Sequence, residues 1–123
     1  METTLLCAEH ALGLDESHLV QLPDSAHRLL PTTAQAFCLM QQAALADGLD
    51  LTLASSYRSF ARQQIIWDDK FNGLRPVLDA QSHPLDIRTW DDQARILAIL
   101  RWSALPGTSR HHWGSDMDIY APS

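Results

Sequence analysis

Apolar and polar positions follow two different periods along this chain. Phe37, Met40 and Ala44 recur at helical spacing, and Leu45 joins the same face. Pro31-Thr32-Thr33 stands just before them as a helix start with hydroxyl caps, and Gly48 is placed to end the helix. Leu49 to Ala54 then alternates apolar and polar, the pattern of a half-buried strand. Ser59 caps a second predicted helix over Phe60 to Phe71, with Phe60, Trp67 and Phe71 near one face and Gly73 after its end. Thr89 is the expected cap of a third helix running to about Trp102. Its apolar face is Ile96, Leu97, Ile99 and Leu100, with Asp91 and Asp92 in the first turn and Arg101 in the last.

The remaining stretches carry weaker patterns. Leu5, Leu6, Ala8, Ala11 and Leu12 suit a short helix ending near Gly13, and Leu19 to Leu22 suits a short strand stopped by Pro23. Residues 75–89 read as loop. Strand-forming Ile119 and Tyr120 close the chain. There is no internal repeat and no low-complexity segment. These elements make one α+β domain over residues 1–123, with helices packed on a small, mainly antiparallel sheet.

Composition narrows the function classes. The formal net charge is -6 and there is no basic run, which argues against a nucleic-acid partner. No apolar run approaches the length of a membrane span. Met1 to Cys7 lacks the basic start and apolar stretch of a secretion signal, so the expected compartment is cytoplasmic, with the periplasm as the alternative. Cys7 and Cys38 fit no metal spacing. Both are expected to be small buried apolar residues, with a disulfide between them left open. His10, His18 and His27 are isolated and are expected at the surface or in hydrogen bonds.

The candidate chemistry lies in Ser109-Arg110-His111-His112-Trp113-Gly114-Ser115-Asp116-Met117-Asp118-Ile119. Imidazole and carboxylate are both zinc ligands, and hydrolytic zinc sites take three protein ligands plus a water. His111 and Asp118 are seven residues apart with Gly114 between them, a spacing for a loop that turns into a strand. Alternatively, His111-His112 is a solvated pair and Asp118 a turn residue. Upstream, Arg58 falls at a strand-to-helix junction. There its guanidinium either points into a cleft or pairs with a carboxylate such as Asp68 or Asp86. Gln63 reaches the same cleft, caps the helix or faces solvent.

The pattern Ser-x-His-x-x-Gly-x-x-x-Asp from Ser109 to Asp118 resembles the metal-binding signature of the zinc D-alanyl-D-alanine carboxypeptidases. That family of LAS metallopeptidases includes the vancomycin-resistance carboxypeptidases and the phage endolysin peptidases. Ser55-Ser56-Tyr57-Arg58-Ser59, followed by Gln63 and then Ile66-Trp67, resembles the family's other signature, with Ser56 where Gly is usual. The resemblance spans roughly Leu29 to Tyr120. It implies a D-Ala-D-Ala carboxypeptidase or hedgehog-like core, Zn2+ as cofactor and peptidoglycan stem peptides as substrate. His111 and Asp118 become zinc ligands and Arg58 the catalytic residue for substrate or oxyanion. Tyr57, Gln63 and Ser109 line the substrate pocket with Arg58, and His112 stands behind the site or in the pocket.

The family also uses a later Glu-x-Trp-His segment, which supplies a second His ligand and the general base. No Glu follows Glu16 here. The chain is therefore expected to be the N-terminal portion of a longer peptidase, with an incomplete C-terminal side, an open sheet edge that permits self-association, and little activity of its own. Carboxypeptidase, dipeptidase and endopeptidase remain alternatives for the intact enzyme, and a non-catalytic zinc- or muropeptide-binding module is the rival reading.

Overall fold

A computed structural model describes residues 7–23 and 25–122. The elements run α1 (Ala8–Ala11), β1 (Val20–Gln21), β2 (Arg28–Leu29), α2 (Pro31–Ala46), β3 (Thr52–Ser55), α3 (Phe60–Phe71), β4 (Val77–Leu78), β5 (Pro84–Leu85), α4 (Asp92–Leu100), a 3-10 turn at Arg110–Trp113, and β6 (Asp118–Tyr120). The α+β class holds. The strands are short and form three separate antiparallel ribbons, β1–β2, β3–β6 and β4–β5.

Helix α3 has the bounds its sequence predicts, because Ser59 Oγ accepts the Arg62 N–H at 3.0 Å. The other two long helices start differently. Helix α2 opens with Pro31 as its first residue, and no side chain caps it, so the Thr caps are corrected. A proline needs no N–H partner at that position and its fixed φ suits the helix. In α4 the cap is Asp91, whose Oδ1 accepts the Ala94 N–H at 2.8 Å. Thr89 lies two residues too early, and the helix ends at Leu100 rather than Trp102. The stretch read as loop contains the β4–β5 ribbon, closed by Asp79, which accepts the N–H groups of Gln81 and His83 at 2.9 Å each. This Asx-type turn gives no apolar alternation to read. The expected residues Leu5 and Leu6 of the first helix lie outside the described residues.

The core has two parts. Leu22, Leu29, Ala34, Phe37 and Leu53 pack under α2, with half-buried Cys38 and Met117 against them. Trp67, Val77, Ile87 and Ile99 join α3 to α4 and the β4–β5 ribbon. Burying one such aliphatic side chain contributes about 2 kcal/mol. The expected α2 face is only partly correct, since Met40 and Leu45 are exposed and Ala34 is buried instead. Cys7 is exposed, contrary to expectation, and both cysteines are free thiols. Residues 56–59 connect β3 to α3.

Candidate metal and substrate site

Strand β6 pairs antiparallel to β3, and the register shifts between Leu53 and Ser55, so that Asp118 stands opposite Ser55. Such an irregularity re-aims side chains at the end of a ladder. Here the Ser55 hydroxyl donates to Asp118 Oδ2. The 3-10 turn brings His111 to the same place. Ser109 is buried and caps that turn, its Oγ accepting the His111 N–H at 3.2 Å. Gly114 ends it with φ +80°, and a Cβ there would lie 2.3 Å from a Leu19 methyl. Its carbonyl accepts the Leu30 N–H at 2.9 Å, which ties the turn to the start of α2.

His111 Nδ1 donates to the Ser56 carbonyl at 3.0 Å. That bond fixes the tautomer, so in the neutral ring Nε2 carries a lone pair. Nε2 lies 3.3 Å from Asp118 Oδ2. Two acceptors that face each other at this distance call for a cation or a proton between them. Zinc–nitrogen and zinc–oxygen bonds of about 2.0–2.1 Å at a tetrahedral angle set their donor atoms roughly 3.3 Å apart. The pair therefore fits zinc as two of its ligands. Among the described residues, no group of three or more His, Cys, Asp or Glu forms a metal cluster. The His111 side chain is 15% exposed and that of Asp118 65%, so the pair opens to solvent on the Asp118 side.

Arg58 joins this arrangement through backbone and side chain. Its N–H donates to the His111 carbonyl at 3.0 Å, and its Nη1 donates to Gln63 Oε1 at 2.9 Å. Gln63 is fully buried and its Nε2 donates to the Ala104 carbonyl at 2.8 Å. Gln63 thus holds Arg58 in place; it neither caps α3 nor faces solvent. Neither Asp68 nor Asp86 pairs with Arg58, and Asp86 is taken by Arg88 at 2.8 Å. Burial pulls the Arg58 guanidinium below its ordinary value. Asp118 acts in the opposite sense, while Arg62 and Arg75 add to the lowering. Tyr57 turns toward the N-terminal segment, where its hydroxyl donates to the Gly13 carbonyl at 3.3 Å, and burial raises its phenol.

His112 has a different role from its neighbour. It is fully buried; Nδ1 donates to the Arg58 carbonyl at 2.7 Å and Nε2 accepts the Gly107 N–H at 3.0 Å. Both nitrogens are used, so His112 is a neutral clip that ties the 3-10 turn to the Arg58 segment. His27, from the stretch that gave least in sequence, bonds Ser56 Oγ through Nδ1 at 2.8 Å. Ser56 therefore links His27 to the carbonyl that orients His111, a link that glycine at this position would lack. His10 and His18 stack with ring centres 4.0 Å apart.

Burial, the larger cause, holds His112 and His18 below the ordinary imidazole value of 6.5. The unfolded chain then binds more protons than the folded one just below 6.5. Stability from these two groups is fully present above 6.5 and is lost as pH falls through their folded values. The melting temperature is expected to drop by roughly several degrees between about pH 7.5 and pH 5.5. Carboxylates held low, such as Asp86 at about 2, act only in a more acidic window. An unchanged melting temperature across the histidine window contradicts this reading.

The short antiparallel ribbons packed against helices are the fold of the VanY and LdcB carboxypeptidases. The chain belongs to the VanY D-alanyl-D-alanine carboxypeptidase family, whose model matches residues 26–123. It is 46% identical to an uncharacterized protein of Haemophilus influenzae over 103 residues, 81% of this chain and 70% of that one. It resembles the vancomycin resistance D,D-pentapeptidase VanY, solved as a mutant with Zn(II), at 32% identity and TM-score 0.61, covering 84% of this chain and 51% of that one. The LdcB LD-carboxypeptidase matches at 27% identity and TM-score 0.59, over 85% of this chain and 44% of that one. The chain thus spans about half the length of these solved relatives.

Proposed function

We propose that this chain carries the two-ligand half of a zinc site, and the arginine beside it, of a peptidase acting on D-Ala-terminated peptidoglycan stem peptides. The facing of His111 Nε2 and Asp118 Oδ2 at 3.3 Å carries this reading. A VanY relative was solved with Zn(II), and VanYB in complex with D-alanine-D-alanine, at 32% identity each. His111 and Asp118 would hold the metal. When bound, zinc polarises a carbonyl and lowers the pKa of its water.

The chain's own residues do the rest. The Ser56 carbonyl and the Ser55 hydroxyl fix the two ligands in orientation. A guanidinium has five N–H donors, and Gln63 takes one Nη1 contact of Arg58, leaving a planar fork for a substrate carboxylate or oxyanion. Ser109 and Tyr57 would border the same pocket, although the described hydroxyl contacts of both are internal. Among the described residues no third His, Cys, Asp or Glu joins the His111–Asp118 pair, and a hydrolytic zinc takes three protein ligands, so the 123 residues alone are expected to hydrolyse little.

The test is a stem peptide ending in D-Ala-D-Ala, with zinc present, followed for binding and for D-alanine release. Binding that Arg58→Ala weakens at least about tenfold is expected, with at most trace release. Binding without any turnover in the full natural protein would favour a muropeptide-binding module. No binding at all, or binding indifferent to Arg58→Ala, would sink the proposal.

A further inference from the structure

Seven of the nine Lys and Arg residues have no carboxylate partner among the described residues; Arg28 pairs with Glu16 and Arg88 with Asp86. Three of those seven gather along one side of α3. Arg58 is joined to Gln63, Gln63 to the Ala104 carbonyl, and Lys70 donates to Ser103 Oγ. The Ser103–Ala104 segment therefore runs alongside α3 and makes a polar strip from Arg58 to Lys70. At the far end of this strip is a cavity of about 380 Å³ between the end of α3 and the β4–β5 ribbon, lined by Lys70, Arg75, Asp86 and Arg88 among others. Asp86 and Arg88 neutralise each other at its wall, which leaves Lys70 and Arg75 uncompensated. Arg75 Nε is buried and has no hydrogen-bond partner. An unpaired buried donor is costly unless something accepts from it. Burial lowers the Lys70 ammonium, and repulsion from Arg75 and Arg58 lowers it further. In a chain of formal charge -6, this is an unusual concentration of free positive charge.

We propose that Lys70 and Arg75 form a second anion subsite, which accepts a carboxylate of the peptide other than the one that faces Arg58. The peptide ligand rests on the function proposed above; the anion subsite itself does not. Gln63 and Lys70 are seven residues apart on α3, roughly 10 Å along its axis. Three extended residues span about the same distance. A carboxylate on the side chain of the third residue from the peptide's C-terminus therefore reaches Lys70 while the terminal carboxylate lies at Arg58. The substrate class is a peptide ending in two D-alanines and acidic at the residue before them.

Two isosteric probes test this, N-acetyl-L-glutamyl-D-alanyl-D-alanine and N-acetyl-L-glutaminyl-D-alanyl-D-alanine, titrated into the full chain with zinc. The glutamyl peptide is expected to bind about tenfold more tightly. That preference should shrink in high salt and fall to near unity in Lys70→Gln and in Arg75→Gln. Equal affinity of the two peptides, or a preference that persists in both variants, overturns the subsite. Should neither peptide bind, the proposed function fails but the subsite is still read by titration with glutarate. Glutarate is expected to shift the Arg75 Nε–H and Lys70 signals of the wild type, and no shift there overturns the subsite. If Arg75→Gln melts before it can be titrated, Lys70→Gln decides both measurements.

Discussion

Gly13→Ala is expected to destabilise the fold by at least about 3 kcal/mol, although Gly13 belongs to a short N-terminal stretch outside the motifs. Its φ is +78°, where an alanine alone costs about 1–2 kcal/mol. The added Cβ would lie 2.5 Å from His112 Nδ1 and 2.8 Å from the Phe60 nitrogen. Neither neighbour can yield. His112 Nδ1 is bonded to the Arg58 carbonyl at 2.7 Å, and the Phe60 N–H donates to the Gly13 carbonyl at 2.8 Å. Gly48→Ala is the control: its φ is also +78°, but a Cβ there meets nothing within 4 Å. It should therefore cost only the backbone part, about 1–2 kcal/mol. Denaturant unfolding of both variants beside the wild type measures the difference. Equal losses would mean that the clash with His112 is relieved at no cost and that the clasp is looser than its geometry.

That clasp shows what could and could not be read from sequence. Helix α3 was legible because its signals are local: Ser59 before an apolar face, and Gly73 after it. The approach of His111 to Asp118 was legible because both residues lie within one short segment. The role of His112 was not, since both its partners, Gly107 and the Arg58 carbonyl, are main-chain atoms with no side-chain signature. His27 and Ser56 meet across 29 residues, a pairing that no periodicity records. Gln63 was open to three readings in sequence, and only the approach of the Ala104 carbonyl selects one. The α4 start is ambiguous in sequence because Thr89 and Asp91 are both capping residue types two positions apart, and the Asp91–Ala94 bond selects Asp91, the stronger cap of the two. Strands of two residues, such as β4 and β5, are too short to show alternation at all.

His111→Ala and Asp118→Ala are each expected to weaken zinc binding at least about a hundredfold, since even residues behind the ligands shift metal affinity by about 10–100-fold. The loss comes from the two acceptors that face each other at 3.3 Å. Without a cation, the Nε2 lone pair and the carboxylate repel unless a proton lies between them, so a metal replaces an unfavourable contact with two bonds. The Ser56 carbonyl keeps Nδ1 protonated and presents Nε2, which lowers the reorganisation that binding requires. Competition with a chromophoric chelator at about pH 7.5 reads the affinity, and elemental analysis reads the stoichiometry. His10→Ala is the control, because His10 stacks on His18 and pairs with Asp15 at 3.6 Å, in a cluster separate from the His111–Asp118 pair. It should leave the zinc affinity unchanged. If zinc affinity is indifferent to Asp118→Ala, the pair is instead an imidazolium–carboxylate contact, and a slowly exchanging His111 Nε2 proton in the metal-free protein would show it.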